Sequence, residues 1–129
     1  MILDMTDTDK QKIIGVTGGT GYVGSRLIAE LAARGYQLVC IDIVPPAERN
    51  LTLPAGVEFR HHDLRIPAEA DKALQCIDIV MHLAADIGSL TYMHDHQAEI
   101  MVNNSQIDAA VYPAMVKNGV QHVVYSSSS

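Results

Sequence analysis

The sequence has few cysteines, no excess of basic residues and no long apolar run, and each absence excludes a class of protein. Two cysteines among 129 residues give no disulfide framework, so we expect a reducing compartment, the cytoplasm. The formal net charge of −6 argues against a nucleic-acid or anionic-membrane partner. No apolar run reaches the ~18 residues that a membrane-spanning helix needs. We therefore expect neither a nucleic-acid partner nor a membrane partner.

The amino-terminal residues 1–11 contain three aspartates and no sustained apolar core. We predict a disordered tail there rather than a signal peptide. Residues 12–129 are enough for one domain with one core. A hydrophobic content of 48% with 19% charged residues indicates that this domain is globular.

The apolar residues alternate between short strand-like and longer helix-like stretches. Strands are predicted over residues 12–17, 37–42, 57–61, 77–83 and 120–125, with helices over 22–34, 67–75 and 96–118 and a loop over 84–95. Pro113 lies inside the last helical stretch and should kink it, at a cost of roughly 3 kcal/mol if unrelieved. This alternation predicts an α/β fold of the Rossmann type. It has three layers and a parallel sheet with strand order 3-2-1-4-5, and the chain ends after strand five.

A glycine-rich turn joins the first predicted strand to the first predicted helix, over Thr17-Gly18-Gly19-Thr20-Gly21-Tyr22-Val23-Gly24. Gly18 lets the chain turn sharply off the strand, and Gly21 removes a side chain where a pyrophosphate must approach the backbone. Gly24 lets the helix pack closely on the strand. The positive end of the helix then faces the phosphates. This context predicts dinucleotide binding; a purely structural turn is the alternative.

Asp42 ends the second predicted strand, 18 residues after Gly24. A carboxylate at this place can accept hydrogen bonds from the adenosine ribose hydroxyls, and its charge would repel the 2′-phosphate of NADP. The next residue is Ile43 rather than arginine or lysine. We therefore expect the cofactor NAD. An ordinary solvated aspartate at a strand end is the alternative.

Short polar or small motifs follow the third and fourth predicted strands. After the third strand, Asp63 could accept a hydrogen bond from the adenine amine and Leu64 could cover the ring; a simple turn aspartate is the alternative. After the fourth strand, the small residues of Leu83-Ala84-Ala85 would let the backbone approach the cofactor. Both motifs are predicted at the carboxyl edge of the sheet, where ligands of this fold bind.

Together these motifs resemble those of the extended short-chain dehydrogenase/reductase family, the NAD-dependent sugar-nucleotide epimerases and dehydratases. The resemblance runs from about Ile13 to the last residue. Within the family, the chain is similar to the UDP-galactose 4-epimerases and, after the fourth strand, to the GDP-mannose 3,5-epimerases. The residues that match are the glycine turn, Asp42, Asp63-Leu64, Leu83-Ala84-Ala85, Asn103-Asn104 and Tyr125-Ser126-Ser127-Ser128.

The resemblance implies roles for several further residues. Tyr22 and Val23 would touch the pyrophosphate, and Asn103 would lie near the cofactor or brace the active site. Ser128 would be catalytic and hydrogen-bond the substrate hydroxyl that is oxidised. The substrate-binding residues would be Gly88 and Ser89, at the sugar of a nucleotide-sugar substrate. The resemblance also implies a homodimer for the full-length protein.

The catalytic motif of this family, Tyr-x-x-x-Lys, is absent from the sequence. None of the five tyrosines is followed four residues later by lysine. In the family this motif follows the serine strand and supplies the general base, while NAD accepts and returns a hydride. We therefore expect an amino-terminal piece of a longer enzyme, without measurable turnover by itself.

Other readings of the sequence remain open. An enzyme of the same family could reduce a non-sugar substrate such as a hydroxysteroid, or the chain could be a non-catalytic NAD-binding sensor or interaction module. Two histidines in His94-Asp95-His96 suggest a metal site, but no third ligand has zinc-type spacing, and we expect no metal. His82 lies in an apolar strand and is interpreted as a core histidine.

Overall fold

Five short strands form one parallel sheet in the order β3-β2-β1-β4-β5 in the computed structural model, which describes residues 7–127. In the register of the central strands, Ile14 pairs with Leu38 on one side and with Ile79 on the other. The strand order reverses between β1 and β4, so a crevice opens at their carboxyl ends. This confirms the predicted fold class. The strands are β1 Ile13–Thr17, β2 Gln37–Asp42, β3 Glu58–His61, β4 Ile79–His82 and β5 His122–Tyr125.

The α-helices are α1 Tyr22–Ala33, α2 Pro67–Ala73, α3 Leu90–Asp95 and α4 Gln97–Lys117, and Asp7–Gln11 and Pro46–Arg49 form 3₁₀-helices. The prediction of a loop over residues 84–95 is wrong for α3. Its N-cap residue, Ser89, accepts a hydrogen bond from the Tyr92 backbone N–H at 3.2 Å and so starts the helix. Asp7–Gln11, which were predicted as part of a disordered tail, form a 3₁₀-helix, and the other residues of that predicted tail, 1–6, lie outside the described residues.

The sheet has an apolar cluster on each face, because successive side chains of a strand point to opposite faces. Ile14, Val16 and Met81 pack with Ile28 and Leu31 of α1 on one face. The other face carries α2 and α4, and its buried members are Val39, Ile41, Leu64, Ala70, Ala73, Leu74, Ile77, Val80, Ala110, Val111, Ala114 and Met115. These layers, helix, sheet and helix, match the predicted three-layer architecture.

The sheet is exposed along its β5 edge. All four residues of β5 are exposed, including Val123, Val124 and Tyr125. The long helix α4 also exposes apolar side chains, with Met101 72% and Val102 54% exposed. Within residues 7–127, no helix combines the length and apolarity needed to cross a membrane.

Candidate functional site

A cleft of about 660 Å³ opens at the carboxyl ends of β1, β2 and β4, a volume typical of small-molecule sites. Each of the twelve residues predicted to contact the cofactor lines it: Gly18, Gly21, Tyr22, Val23, Gly24, Asp42, Asp63, Leu64, Leu83, Ala84, Ala85 and Asn103. The topology thus brings together motifs that are far apart in the sequence.

The glycine turn has little room for side chains. Gly18 has a φ of 68°, and a Cβ there would lie 3.0 Å from the Leu83 carbonyl and the Ala84 nitrogen. A Cβ at Gly24 would overlap the Gly18 carbonyl oxygen. Gly21 is different, because its Cβ would meet only the Gly18 oxygen, at 3.2 Å, among the described residues. The turn therefore presents bare backbone to the cleft at Gly21, as binding of a pyrophosphate requires.

Helix α1 begins at the cleft with its N-terminus open. Its N-cap residue is Gly21, which has no side chain to accept a hydrogen bond from the first N–H groups of the helix. Its first two side chains, Tyr22 and Val23, are 75% and 60% exposed, although both are apolar. The Arg26 guanidinium lies 4.4 Å from the centre of the Tyr22 ring. Free N–H groups, the positive helix end and a nearby arginine together suit an anionic ligand.

Asp42 is buried at the end of β2 and fastens the glycine turn to it. Its Oδ2 accepts from the Thr20 backbone N–H at 3.1 Å, and its Oδ1 accepts from the Val44 N–H at 3.0 Å. An ionised carboxylate has about four acceptor positions, so both oxygens can still accept ribose hydroxyls. Arg49, on the 3₁₀-helix that follows β2, also lines the cleft.

Asp63 is held by an arginine that the sequence analysis did not single out. Its Oδ1 accepts from Arg65 Nε at 2.9 Å, and its Oδ2 accepts from Nη2 at 2.7 Å. These hydrogen bonds hold the pKa of the Asp63 carboxyl below its usual range. Leu64 between them is 5% exposed and belongs mainly to the core, so it offers only a small surface to the cleft.

Asn103 braces the cleft through both ends of its amide. Its Oδ1 accepts from Arg65 Nη1 at 3.1 Å, and its Nδ2 donates to Asp86 Oδ2 at 2.8 Å. The neighbouring Asn104 accepts from the Asp86 backbone N–H at 2.6 Å. These bonds tie the loops after β3 and β4 to α4, so their spacing across the cleft is fixed by side chains.

The predicted substrate-binding residues do not line this cleft. Gly88 and Ser89 are not among its lining residues; they precede α3, where the Ser89 hydroxyl serves as the N-cap. A side chain at position 88 would overlap the Tyr92 ring. Ser128 lies outside the described residues. In residues 7–127, no cluster of three or more metal-ligating side chains is found.

Sequence reasoning missed eight residues that line the cleft. Arg65 and Asp86 each directly follow a predicted motif, Asp63-Leu64 and Leu83-Ala84-Ala85, so extending each motif by one residue would have found them. The full set is Ile43, Val44, Arg49, His62, Arg65, Asp86, Ile87 and Ile107.

Comparisons with known proteins agree with this geometry. GDP-mannose 3,5-epimerase 1 of Oryza sativa subsp. indica is 29% identical over 119 residues, covering 90% of this chain and 30% of that protein. The 3-beta-hydroxysteroid dehydrogenase of Mycolicibacterium neoaurum is 30% identical over 128 residues, covering 95% of this chain and 33% of that protein. The UDP-glucose-4-epimerase of Stenotrophomonas maltophila was solved with NAD and formylated UDP-arabinopyranose. It superposes on this chain with a TM-score of 0.75 at 27% identity, and the match covers 91% of this chain and 37% of that one.

This chain spans about 30% of the length of the first of these relatives. Residues 14–129 match the family described as "NAD dependent epimerase/dehydratase family", which is nearly the whole chain. The match confirms the family resemblance and, at the level of the family, the expected cofactor NAD. This chain belongs to the NAD-dependent epimerase/dehydratase family.

Proposed function

We propose that this chain is the cofactor-binding part of an enzyme that epimerises or dehydrates a nucleotide sugar by transient hydride transfer to NAD. The observation that carries the proposal is the cleft, where a bare glycine turn, an open helix end and a buried strand-end carboxylate converge. The similarity to a GDP-mannose epimerase and to a UDP-glucose epimerase supports the substrate class.

In this proposal the cleft holds NAD along the carboxyl edge of the sheet. The backbone from Gly21 to Gly24 binds the pyrophosphate, and Asp42 accepts hydrogen bonds from the adenosine ribose. The adenine lies near Asp63 and Leu64. Leu83, Ala84 and Ala85 line the cleft, and in this proposal the cofactor lies against their backbone. When bound, NAD supplies a reversible acceptor for the substrate hydride.

The substrate side of the reaction needs residues beyond this cleft. We propose that Ser128 hydrogen-bonds the reacting hydroxyl and that Gly88 and Ser89 contact the sugar. The sequence holds no tyrosine with lysine four residues later, so these 129 residues have no general base of the family type. Losing such a base typically removes about 10²–10⁴-fold of acceleration, so we expect no measurable turnover from this chain alone.

A second candidate function is the net oxidation or reduction of a hydroxysteroid. The similarity to a 3-beta-hydroxysteroid dehydrogenase favours it, because that match covers more of this chain than the epimerase match does. The two functions share the cofactor cleft and differ in where the hydride ends. In an epimerase the hydride returns to the substrate, whereas a dehydrogenase releases it as NADH.

A deuterium label distinguishes these functions in the protein that contains this chain. Nucleotide sugars and a 3-hydroxysteroid, each deuterated at the carbon that is oxidised, are incubated with the protein and NAD. We expect an isomerised or dehydrated nucleotide sugar that retains the label, without accumulation of NADH. Transfer of the label from the 3-hydroxysteroid to free NADH would indicate the steroid dehydrogenase instead. NAD binding without turnover of either class would indicate a cofactor sensor.

We also propose that the longer protein forms a homodimer through α4. The exposed Met101 and Val102 on this helix support an apolar contact there. Light scattering on the longer protein tests this, and a monomer at all concentrations would contradict it. The cytoplasmic location stays a prediction.

A further inference from the structure

His82, at the end of β4, is buried between two polar groups from different elements. It is 1% exposed, and its Nδ1 lies 2.7 Å from Thr17 Oγ1 at the end of β1. Its Nε2 lies 3.0 Å from Asp108 Oδ1 on α4. The imidazole therefore connects the two strands that flank the cleft to the long helix behind them.

The hydrogens of this chain of contacts can be assigned from both ends. The Thr17 hydroxyl oxygen accepts from the backbone N–H groups of Leu83 at 3.0 Å and Ala84 at 3.1 Å. A hydroxyl has two acceptor positions and one hydrogen, so that hydrogen is left for His82 Nδ1. At the other end an ionised Asp108 can only accept, so Nε2 carries the ring proton. Both ends require the same neutral tautomer.

This chain of hydrogen bonds ends at the wall of the cleft. Leu83 and Ala84 line the cleft. Their backbone also lies close to the glycine turn, because a Cβ placed on Gly18 would be 3.0 Å from the Leu83 carbonyl and from the Ala84 nitrogen. With its hydrogen donated to His82, the Thr17 hydroxyl keeps both acceptor positions turned to Leu83 and Ala84. The Leu83 N–H also donates to the Thr17 backbone oxygen, at 3.2 Å, whereas the Ala84 N–H has the hydroxyl as its acceptor. The orientation of the Thr17 hydroxyl, and with it the hydrogen bond to Ala84, therefore depends on an acceptor at His82 Nδ1.

The groups around His82 favour the neutral ring on balance. Burial lowers the pKa of His82, while the hydrogen bond and the charge of Asp108 act in the opposite direction. The other titratable neighbours are Tyr112 on α4 and Tyr125 on β5, with ring centres 6.0 and 5.7 Å away. The Tyr125 hydroxyl donates to Asp108 at 3.3 Å. A proton on Nδ1 would face the Thr17 oxygen, whose acceptor positions are already used.

We propose that His82 is a positioning residue for NAD binding. As a neutral imidazole protonated on Nε2, it orients the Thr17 hydroxyl so that Leu83 and Ala84 are held beneath the glycine turn. This inference rests on the proposed function, because it assumes that the cleft is where NAD binds.

Two amide substitutions separate this role from simple filling of the core. In His82→Asn the amide oxygen lies one bond beyond Cγ, as Nδ1 does, and can accept the Thr17 hydrogen. In His82→Gln the amide group reaches one bond farther, towards Asp108, and no acceptor remains at the place of Nδ1. By calorimetric titration we expect His82→Asn to bind NAD within about threefold of the wild type and His82→Gln about tenfold more weakly, the range for one lost hydrogen bond.

Equal NAD affinities for these two variants, whether both weakened or both unchanged, would overturn the inference. Thr17→Val gives an independent check, because it removes the link itself. In a double-mutant cycle, adding His82→Gln to Thr17→Val should cost little further affinity, whereas full additivity would contradict the link.

A nitrogen NMR spectrum of the wild-type imidazole at neutral pH, recorded without NAD, reads the tautomer directly. We expect a protonated Nε2 and an unprotonated Nδ1; a protonated Nδ1 would overturn the inference. Failure of the folded wild type to bind NAD would overturn the proposed function instead, and the NMR result would still decide the hydrogen-bond chain by itself.

Discussion

Two glycines of one turn, three residues apart, have different physical reasons to be glycine. Gly24 faces the Gly18 carbonyl, so any Cβ there forces the backbone of the turn to move. Gly21 has a φ of −73°, which any residue can adopt. Among the described residues, a Cβ there would meet only the Gly18 oxygen, at 3.2 Å. The geometry of the turn requires glycine at position 24. At position 21 it does not, and we propose that the bound pyrophosphate is what requires glycine there.

Substituting alanine at each position tests this difference. We expect Gly24→Ala to lower the free energy of unfolding by about 1–3 kcal/mol, the range for overpacking a tight site. Gly21→Ala should change stability by much less and weaken NAD binding, because its methyl group projects into the cleft. Chemical denaturation and calorimetric titration measure the two effects. Equal losses of stability in both variants would contradict the assignment.

The two cysteines should differ in reactivity because only one is buried. Burial, together with the charge of Asp42, raises the pKa of the Cys40 thiol to about 12, whereas Cys76 is exposed. At neutral pH we expect iodoacetamide to modify Cys76 alone, and Cys40 only after unfolding. Mass spectrometry of the alkylated protein checks this. Rapid alkylation of Cys40 in the folded protein would show that solvent reaches the core around β2, and would contradict this prediction.

At the scale of elements, the apolar pattern predicts the sheet well and its exact limits less well. All five strands and the three longer helices were predicted to within two residues of their observed bounds. The strand ends differ because pairing with a neighbouring strand, rather than a strand's own apolar residues, decides where the ladder stops. Helix α3 was missed because it has only 6 residues, too few to show a helical apolar period.

The polar contacts of the cleft could not be predicted in the same way. Motif position is enough to predict that Asp63 lies at the carboxyl edge of the sheet, and the family resemblance implies that Asn103 lies near the cofactor. It does not predict that Arg65 joins them, since Arg65 and Asn103 are 38 residues apart in sequence. Such a pairing depends on the path of the backbone and on side-chain conformation, which apolar periodicity does not record.

Pro113 lies inside the long helix α4 and lowers its stability. The helix continues through this residue, which has no backbone N–H to donate, and the side chain is exposed. We expect Pro113→Ala to raise the free energy of unfolding by about 1–3 kcal/mol. Val116→Ala, at an exposed site in the same helix, is the control and should change it by less than about 0.5 kcal/mol. Destabilisation by Pro113→Ala would mean that the proline shapes α4 for packing.

We expect the free energy of unfolding of the whole molecule to fall in mild acid, because His82 is buried. Its pKa in the fold is below the ordinary value of 6.5, so above that pH both folded and unfolded states are neutral at this ring. Below it the unfolded chain binds a proton that the fold resists, and the free energy of unfolding falls by at most about 1.4 kcal/mol per pH unit.

Denaturation of the wild type and of His82→Asn between about pH 7 and about pH 5 isolates this contribution from the other five histidines. The wild type should lose stability more steeply than the variant as the pH falls. Parallel curves would show that His82 is not kept neutral by the fold.

The central claim, that this cleft binds NAD and discriminates against NADP through Asp42, is tested most directly by calorimetric titration of the chain with each dinucleotide. We expect NAD to bind at least about tenfold more tightly, because the buried carboxylate of Asp42 repels a 2′-phosphate. Arg49 also lines the cleft, and its positive charge would work against this preference, so Arg49→Ala should widen it. Equal or tighter binding of NADP, or no binding of either by a chain that circular dichroism shows to be folded, would contradict the account.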